Sequence, residues 1–259
     1  MNQTFNLNRF AMLFKKHTME NYRMYLMSAA VLAGILLLFM GFVAYNNAGF
    51  LPENVQTSFF ITFLLFAGTI FTSMIFTEMG DKKKAIPALT LPASQFEKYL
   101  VGWIYSFVVF QIVFVALFYL MAFIVIQVGH DVPGRENHLV NVFSKDQKSY
   151  YAFIIYTLLH GIAFLGAIYF EKMHFIKMAF AFLIGAFLLA LLNMPIMNMM
   201  IDAKTVGSTI FSPVDISDGK TSWTIRQTDL QDYTGAIVLE IIVVLLWISA
   251  FFRLKEKEV

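Results

Sequence analysis

Cysteine is missing from the 259-residue chain, and charge is scarce: Asp, Glu, Lys and Arg together make up 14% of it. The first absence excludes disulfides, thiolate metal sites and cysteine nucleophiles. The second sets the chain well below the roughly 25% charged residues of ordinary soluble domains. No G-x-S-x-G elbow, G-x-x-x-x-G-K-[ST] phosphate loop or H-E-x-x-H metal pair occurs. The Gly219-Lys220-Thr221 triplet has Val214 where a phosphate loop needs its leading glycine. The five histidines are scattered, and His130 and His138 share one connection without a third ligand. The chain is therefore expected not to be an enzyme in its own right, and to hold no metal and no cofactor.

What is present is apolar. Hydrophobic residues make up 59% of the sequence, with 29 Phe and 15 Met. A soluble fold of this size could not hide that much apolar surface, so the bilayer must act as solvent. A span needs about 20 mostly apolar residues. Leu26–Tyr45, Ser58–Phe76, Leu100–Gln127, Tyr151–Phe170, Phe175–Met194 and Thr234–Phe252 qualify. The fold class read from this is an all-α integral membrane protein with six transmembrane helices. Residues 1–25 form a separate cytoplasmic helix, 26–259 the membrane domain, and 195–233 a small external segment between spans five and six. The first apolar run is too long for a signal peptide and reads as a true span. The third is longer than a bilayer requires, so it is expected to tilt or project. The fourth and fifth, separated by Glu171-Lys172-Met173-His174, are expected to form a tight helical hairpin.

Lys and Arg set the orientation. With an even number of spans, both termini share a side with Lys82, Lys83, Lys84, Lys98, Lys172 and Lys177. The opposite side holds only Arg135, Lys145, Lys148, Lys204, Lys220 and Arg226. The richer side is read as cytoplasmic, in the inner (cytoplasmic) membrane of a cell. Within residues 1–25, Arg9, Lys16, Glu20 and Arg23 fall on one stripe at about 100° per residue. That is the pattern of an amphipathic helix lying along the inner leaflet before the chain turns inward. In the external segment, Asp218-Gly219 between Ser208–Ile216 and Thr221–Gln227 signals a β-hairpin. Pro195 is expected to kink or stop the fifth span.

Polar residues within spans are expensive and so informative. Gln111, His160 and Glu240 are the candidates for a translocation path or a dimer seam, with Glu240 central and either of the others as its partner. A purely structural role, tying two helices together, is the competing reading.

The loop between spans two and three is dense with signals. Glu78 and Asp81 lead into Lys82-Lys83-Lys84, then Pro87 and Pro92 bracket Ala88-Leu89-Thr90-Leu91. Ser94, with Glu97 three residues on, forms a capping box for span three. A short helix, a proline break and a capped long helix make a rigid knob suited to receiving force. Glu78 at a span end, the basic stretch, Leu89-Thr90-Leu91-Pro92-Ala93-Ser94 and Lys98 running into a span resemble the first cytoplasmic loop of type-2 ABC exporter permeases. Gln95 stands where that family usually has arginine. The resemblance implies half of a permease dimer, formed with a second copy or a homologous permease, and a separate ABC ATPase subunit that binds ATP. It implies that Asp81–Leu91 is the coupling helix seated in that ATPase, so that Glu78, Asp81, Lys82, Lys83, Lys84, Leu89, Pro92 and Ser94 form the coupling loop. A non-transporting cell-envelope scaffold on the same fold is the alternative. Besides these protein partners only the lipid bilayer is expected, and no nucleic acid.

Overall fold

The computed structural model describes residues 5–75, 93–129, 136–144, 150–170, 174–200, 204–207, 214–217, 221–225 and 229–256. Six helices are long and apolar enough to cross a membrane. They are α1 (Leu7–Asn46), α2 (Glu53–Met74), α3 (Gln95–Val128), α4 (Tyr150–Tyr169), α5 (His174–Met200) and α6 (Asp229–Glu256). The chain is a multi-pass, all-α membrane protein. A small three-stranded antiparallel sheet lies between α5 and α6, formed by β1 (Lys204–Gly207), β2 (Val214–Ser217) and β3 (Ser222–Ile225) in sequence order.

α1 is a single helix of 40 residues. The expected break between an interfacial helix and a first span is absent, because neither proline nor glycine occurs between Asn6 and Gly34. At about 1.5 Å per residue α1 is about 60 Å long, twice the hydrocarbon thickness. Its first turns therefore extend the span instead of lying beside it. Asn6 caps it, its side chain accepting from the amides of Asn8 and Arg9. It closes through a left-handed turn at Ala48 and Gly49, with φ of 55° and 96°. The turn presses against the far end of α3. A Cβ on Gly129 would stand 2.4 Å from the Gly49 carbonyl oxygen, a distance only glycine avoids.

α3 has three parts: an α-helical start (Gln95–Trp103), a π-helical segment (Ile104–Val109) and an α-helical remainder (Phe110–Val128). The expected capping box is present: Ser94 accepts from the Glu97 amide, and the Glu97 carboxylate accepts from the Ser94 amide at 2.8 Å. The π segment was not foreseen, since no residue type in Ile-Tyr-Ser-Phe-Val-Val announces it.

α4 is the central helix, packed against α2, α5 and α6. Half of its most apolar stretch is buried, against 6% for α5, so α5 is peripheral. The main core joins Phe60 and Leu64 of α2, Phe114 and Phe118 of α3, and Tyr156 of α4. A second cluster around Tyr99, Phe164, Ile168 and Leu254 ties α3, α4 and α6 at the other end. α4 and α5 form the expected hairpin, with Gly166 facing Met178. Pro195 does not stop α5, which continues to Met200. One missing amide donor removes a single hydrogen bond, and the turns beyond it keep theirs. The foreseen hairpin is the β2–β3 pair, with Ser217 opposite Ser222. The pairing of β1 with β2 adds a strand that the alternation of the sequence did not reveal.

A polar latch holds the segment 136–144 to the helix ends. Gln56, fully buried, donates to the carbonyls of Leu51 (3.0 Å) and His138 (2.8 Å) and accepts from the Val140 amide. Asn137 accepts from the Leu51 amide and donates to the Gly49 carbonyl.

Candidate functional site

Of the coupling-loop residues, Glu78, Asp81, Lys82, Lys83, Lys84, Leu89 and Pro92 lie outside the described residues. Ser94 lies within them, at the start of α3, where Glu97 does more than complete the cap. Its buried carboxylate Oε1 accepts from the Asn6 amide (2.8 Å) and from Arg9 Nε (3.3 Å) and Nη2 (2.8 Å). Arg9, read from the sequence as part of the charged stripe of an interfacial helix, makes a charge-assisted pair with α3. One carboxylate thus fastens the start of α1, the start of α3 and the last residue of the loop. The two elements lie about 90 residues apart in sequence, so no local pattern could reveal the pairing. Beside it the Oε1 of Gln95 is buried without a partner among the described residues.

The second polar centre lies inside the membrane domain, on the π segment of α3. His160 is fully buried. The indole Nε1–H of Trp247, which can only donate, reaches His160 Nδ1 at 3.1 Å. That bond assigns Nδ1 as an acceptor and makes the imidazole neutral with its hydrogen on Nε2. Nε2 then donates to Ser106 Oγ at 2.9 Å, whose own hydrogen goes to the Gly102 carbonyl at 2.8 Å. The Ser106 carbonyl, displaced from the regular ladder by the wider π turn, accepts from the Tyr156 hydroxyl at 2.9 Å. Tyr99 donates to the Trp247 carbonyl at 2.9 Å. Three helices, α3, α4 and α6, meet in this chain of bonds. Phe107 fills its centre, with ring centroids 5.1 Å from Trp103, 5.0 Å from His160 and 5.4 Å from Trp247.

Next to this network, Gln111 and Glu240 line one open cavity of about 380 Å³, together with Phe107, Phe143, Phe153 and Thr157. Thr157 Oγ1 lies 2.9 Å from Glu240 Oε1. Gln111 and Glu240 thus share one cavity. His160 is not Glu240's partner: it sits three residues beyond Thr157 on α4 and spends both ring nitrogens on Trp247 and Ser106.

Ser106, Tyr156, Thr157, Trp247 and the Arg9–Glu97 pair carry these centres and escaped the sequence reading. The only local sign was a lone serine or threonine within an apolar run, the commonest polar residues of any membrane helix. Among the described residues, no group of three or more His, Asp or Glu gathers as a metal site. The His138 imidazole lies 3.5 Å from the Glu136 carboxylate, and both side chains are exposed. Compared with known proteins, the chain matches no family model, no curated protein and no solved structure.

Proposed function

We propose that this chain is the membrane-spanning permease subunit of an ATP-driven exporter, of the kind its loop between α2 and α3 resembles. It works as a dimer and carries no ATP site of its own; a separate ABC ATPase docks on residues 78–94. Both termini and that loop face the cytoplasm of an inner membrane, as the distribution of Lys and Arg favours.

The observation that carries the reading is the threefold grip of Glu97. A loop that receives force is useful only if its end cannot fold away. Here the last loop residue, Ser94, is bonded to a carboxylate that also holds Arg9 and Asn6 of α1. Movement of the loop is thereby delivered to two helices at once. Ten residues further along α3, the π segment is a natural place for that helix to flex. The Ser106–His160–Trp247 chain passes the displacement to α4 and α6, beside the Gln111–Glu240 cavity. A cell-envelope scaffold that moves nothing is the alternative, favoured only by the ordered sheet between α5 and α6.

The test is purification of the chain from membranes with identification of any co-purifying ATPase. Wild type should bring down an ATPase, and changing Lys82, Lys83 and Lys84 to Glu should abolish its recovery. Recovery of no ATPase with the wild-type chain would remove the permease reading. An ATPase that co-purifies but never responds to added solutes in vesicles would favour the scaffold.

A further inference from the structure

We propose that the cavity shared by Gln111 and Glu240 binds a lipophilic organic cation, an ammonium or phosphonium centre carrying apolar groups. As a binding site this stands apart from ATP-driven transport; as the site of the exported cargo it rests on the permease reading above.

A carboxyl group within a membrane helix is expensive unless something compensates it. Glu240 lies on α6 between Leu239 and Ile241, five residues beyond the start of its apolar stretch at Gly235. Its Oε1 is held by Thr157, and its Oε2 has no partner among the described residues. The Thr157 hydroxyl has one hydrogen and two acceptors within reach, the Ile154 carbonyl at 2.7 Å and Glu240 Oε1 at 2.9 Å. The Thr157 contact occupies one carboxylate oxygen and leaves the other, Oε2, for a ligand.

The remaining walls choose the sign of that ligand's charge. Phe107, Phe143 and Phe153 line the cavity, and Phe143 and Phe153 stack with centroids 5.7 Å apart and planes 8° from parallel. Aromatic faces attract cations by about 0.5–2 kcal/mol per ring, more where water is excluded. No lysine or arginine is among the described residues that line the cavity. Among the described lining residues an anion would meet the carboxylate and the negative ring faces, with only the uncharged Gln111 and Thr157 able to donate to it, and a neutral apolar molecule would leave Glu240 Oε2 without a partner. At about 380 Å³ the cavity falls within the size range of sites for drug-sized molecules.

Full-length chain in neutral maltoside micelles should bind tetraphenylphosphonium saturably at one site, while tetraphenylborate, of the same shape and opposite charge, should not compete. Glu240→Gln, which keeps the Thr157 bond and loses only the charge, should weaken phosphonium binding about tenfold or more. Phe143 is 64% exposed, so Phe143→Ala leaves the fold intact and should weaken binding several-fold. Equal affinity for the two probes, or unchanged binding by both variants, would overturn the proposal. Displacement of the phosphonium by added phosphatidylethanolamine but not phosphatidylglycerol assigns the site to a lipid headgroup ammonium. Displacement by neither assigns it to a diffusible cation. Phosphonium binding by a chain that recruits no ATPase would sink the permease reading and leave the site standing; an ATPase-bound chain indifferent to phosphonium would do the reverse.

Discussion

Removing Arg9 tests whether the start of α1 is tied to α3 or merely rests near it. In Arg9→Ala the Glu97 carboxylate keeps the amides of Asn6 and Ser94, each at 2.8 Å, so it is weakened but not orphaned. Hydrogen bonds to a charged group contribute about 1.5–3 kcal/mol. Arg9 is 29% exposed and the pair lies at one end of the bundle, which argues for about 1–2 kcal/mol after solvent screening. Glu97→Gln should lose more. Its single oxygen can face either Ser94 or the Asn6–Arg9 side, and its amide hydrogens then oppose donors on the other, for about 2–3 kcal/mol. The loss is local, so the readout is hydrogen exchange of the amides from Phe10 to Phe14 in the membrane-embedded protein. Since about 1.4 kcal/mol is tenfold, Arg9→Ala should speed exchange about 5- to 30-fold. Amides around Phe60, in the core, should not change. In the double variant the effects should fall short of multiplying, because the same bond is removed twice. Exchange within twofold of wild type in Arg9→Ala, or factors that multiply cleanly, would refute the clasp.

Three further substitutions probe other parts of the frame. A Cβ on Gly68 would lie 2.2 Å from Tyr156 Cε2 and 2.9 Å from Phe110 Cε1, so Gly68→Ala should destabilise the α2–α4 contact by about 1–3 kcal/mol, visible as a lower melting temperature. His160→Leu should leave the Trp247 indole N–H buried without an acceptor, for about 1–3 kcal/mol; restoration of wild-type melting by Trp247→Phe in the same chain would confirm the bond, and no restoration would count against it. Ser94→Ala should remove one arm of the capping box, destabilising the first turn of α3 by about 1 kcal/mol, and should speed exchange of the Glu97 amide about fivefold.

The six helices, the capping box and the β2–β3 hairpin were legible in the sequence because each follows from interactions within a few neighbouring residues. Long apolar runs must satisfy their backbone internally, Ser94 and Glu97 are one turn apart, and Asp-Gly turns a chain locally. The continuity of α1 was legible in principle, in the lack of any helix breaker after Asn6, but the change from mixed to apolar composition near residue 26 was read as a change of direction. Gln111 and Glu240 were singled out because a polar side chain in a span stands out against its surroundings. Which of them would meet depended on helix rotation, and rotation is set by packing between helices that all look alike in sequence.

Sequence alone determined that this chain is a multi-pass helical membrane protein with six candidate spans, since the cost of exposing backbone and polar groups to hydrocarbon leaves few other solutions, and that the third of them is capped at Ser94. Only the tertiary structure decided that Arg9 closes on Glu97, that a π turn aims Ser106 at His160, and that Glu240 shares a cavity with Gln111. Those pairings join residues tens to more than a hundred positions apart, and the relative rotation and depth of packed helices is a property of the whole assembly, not of any segment within it.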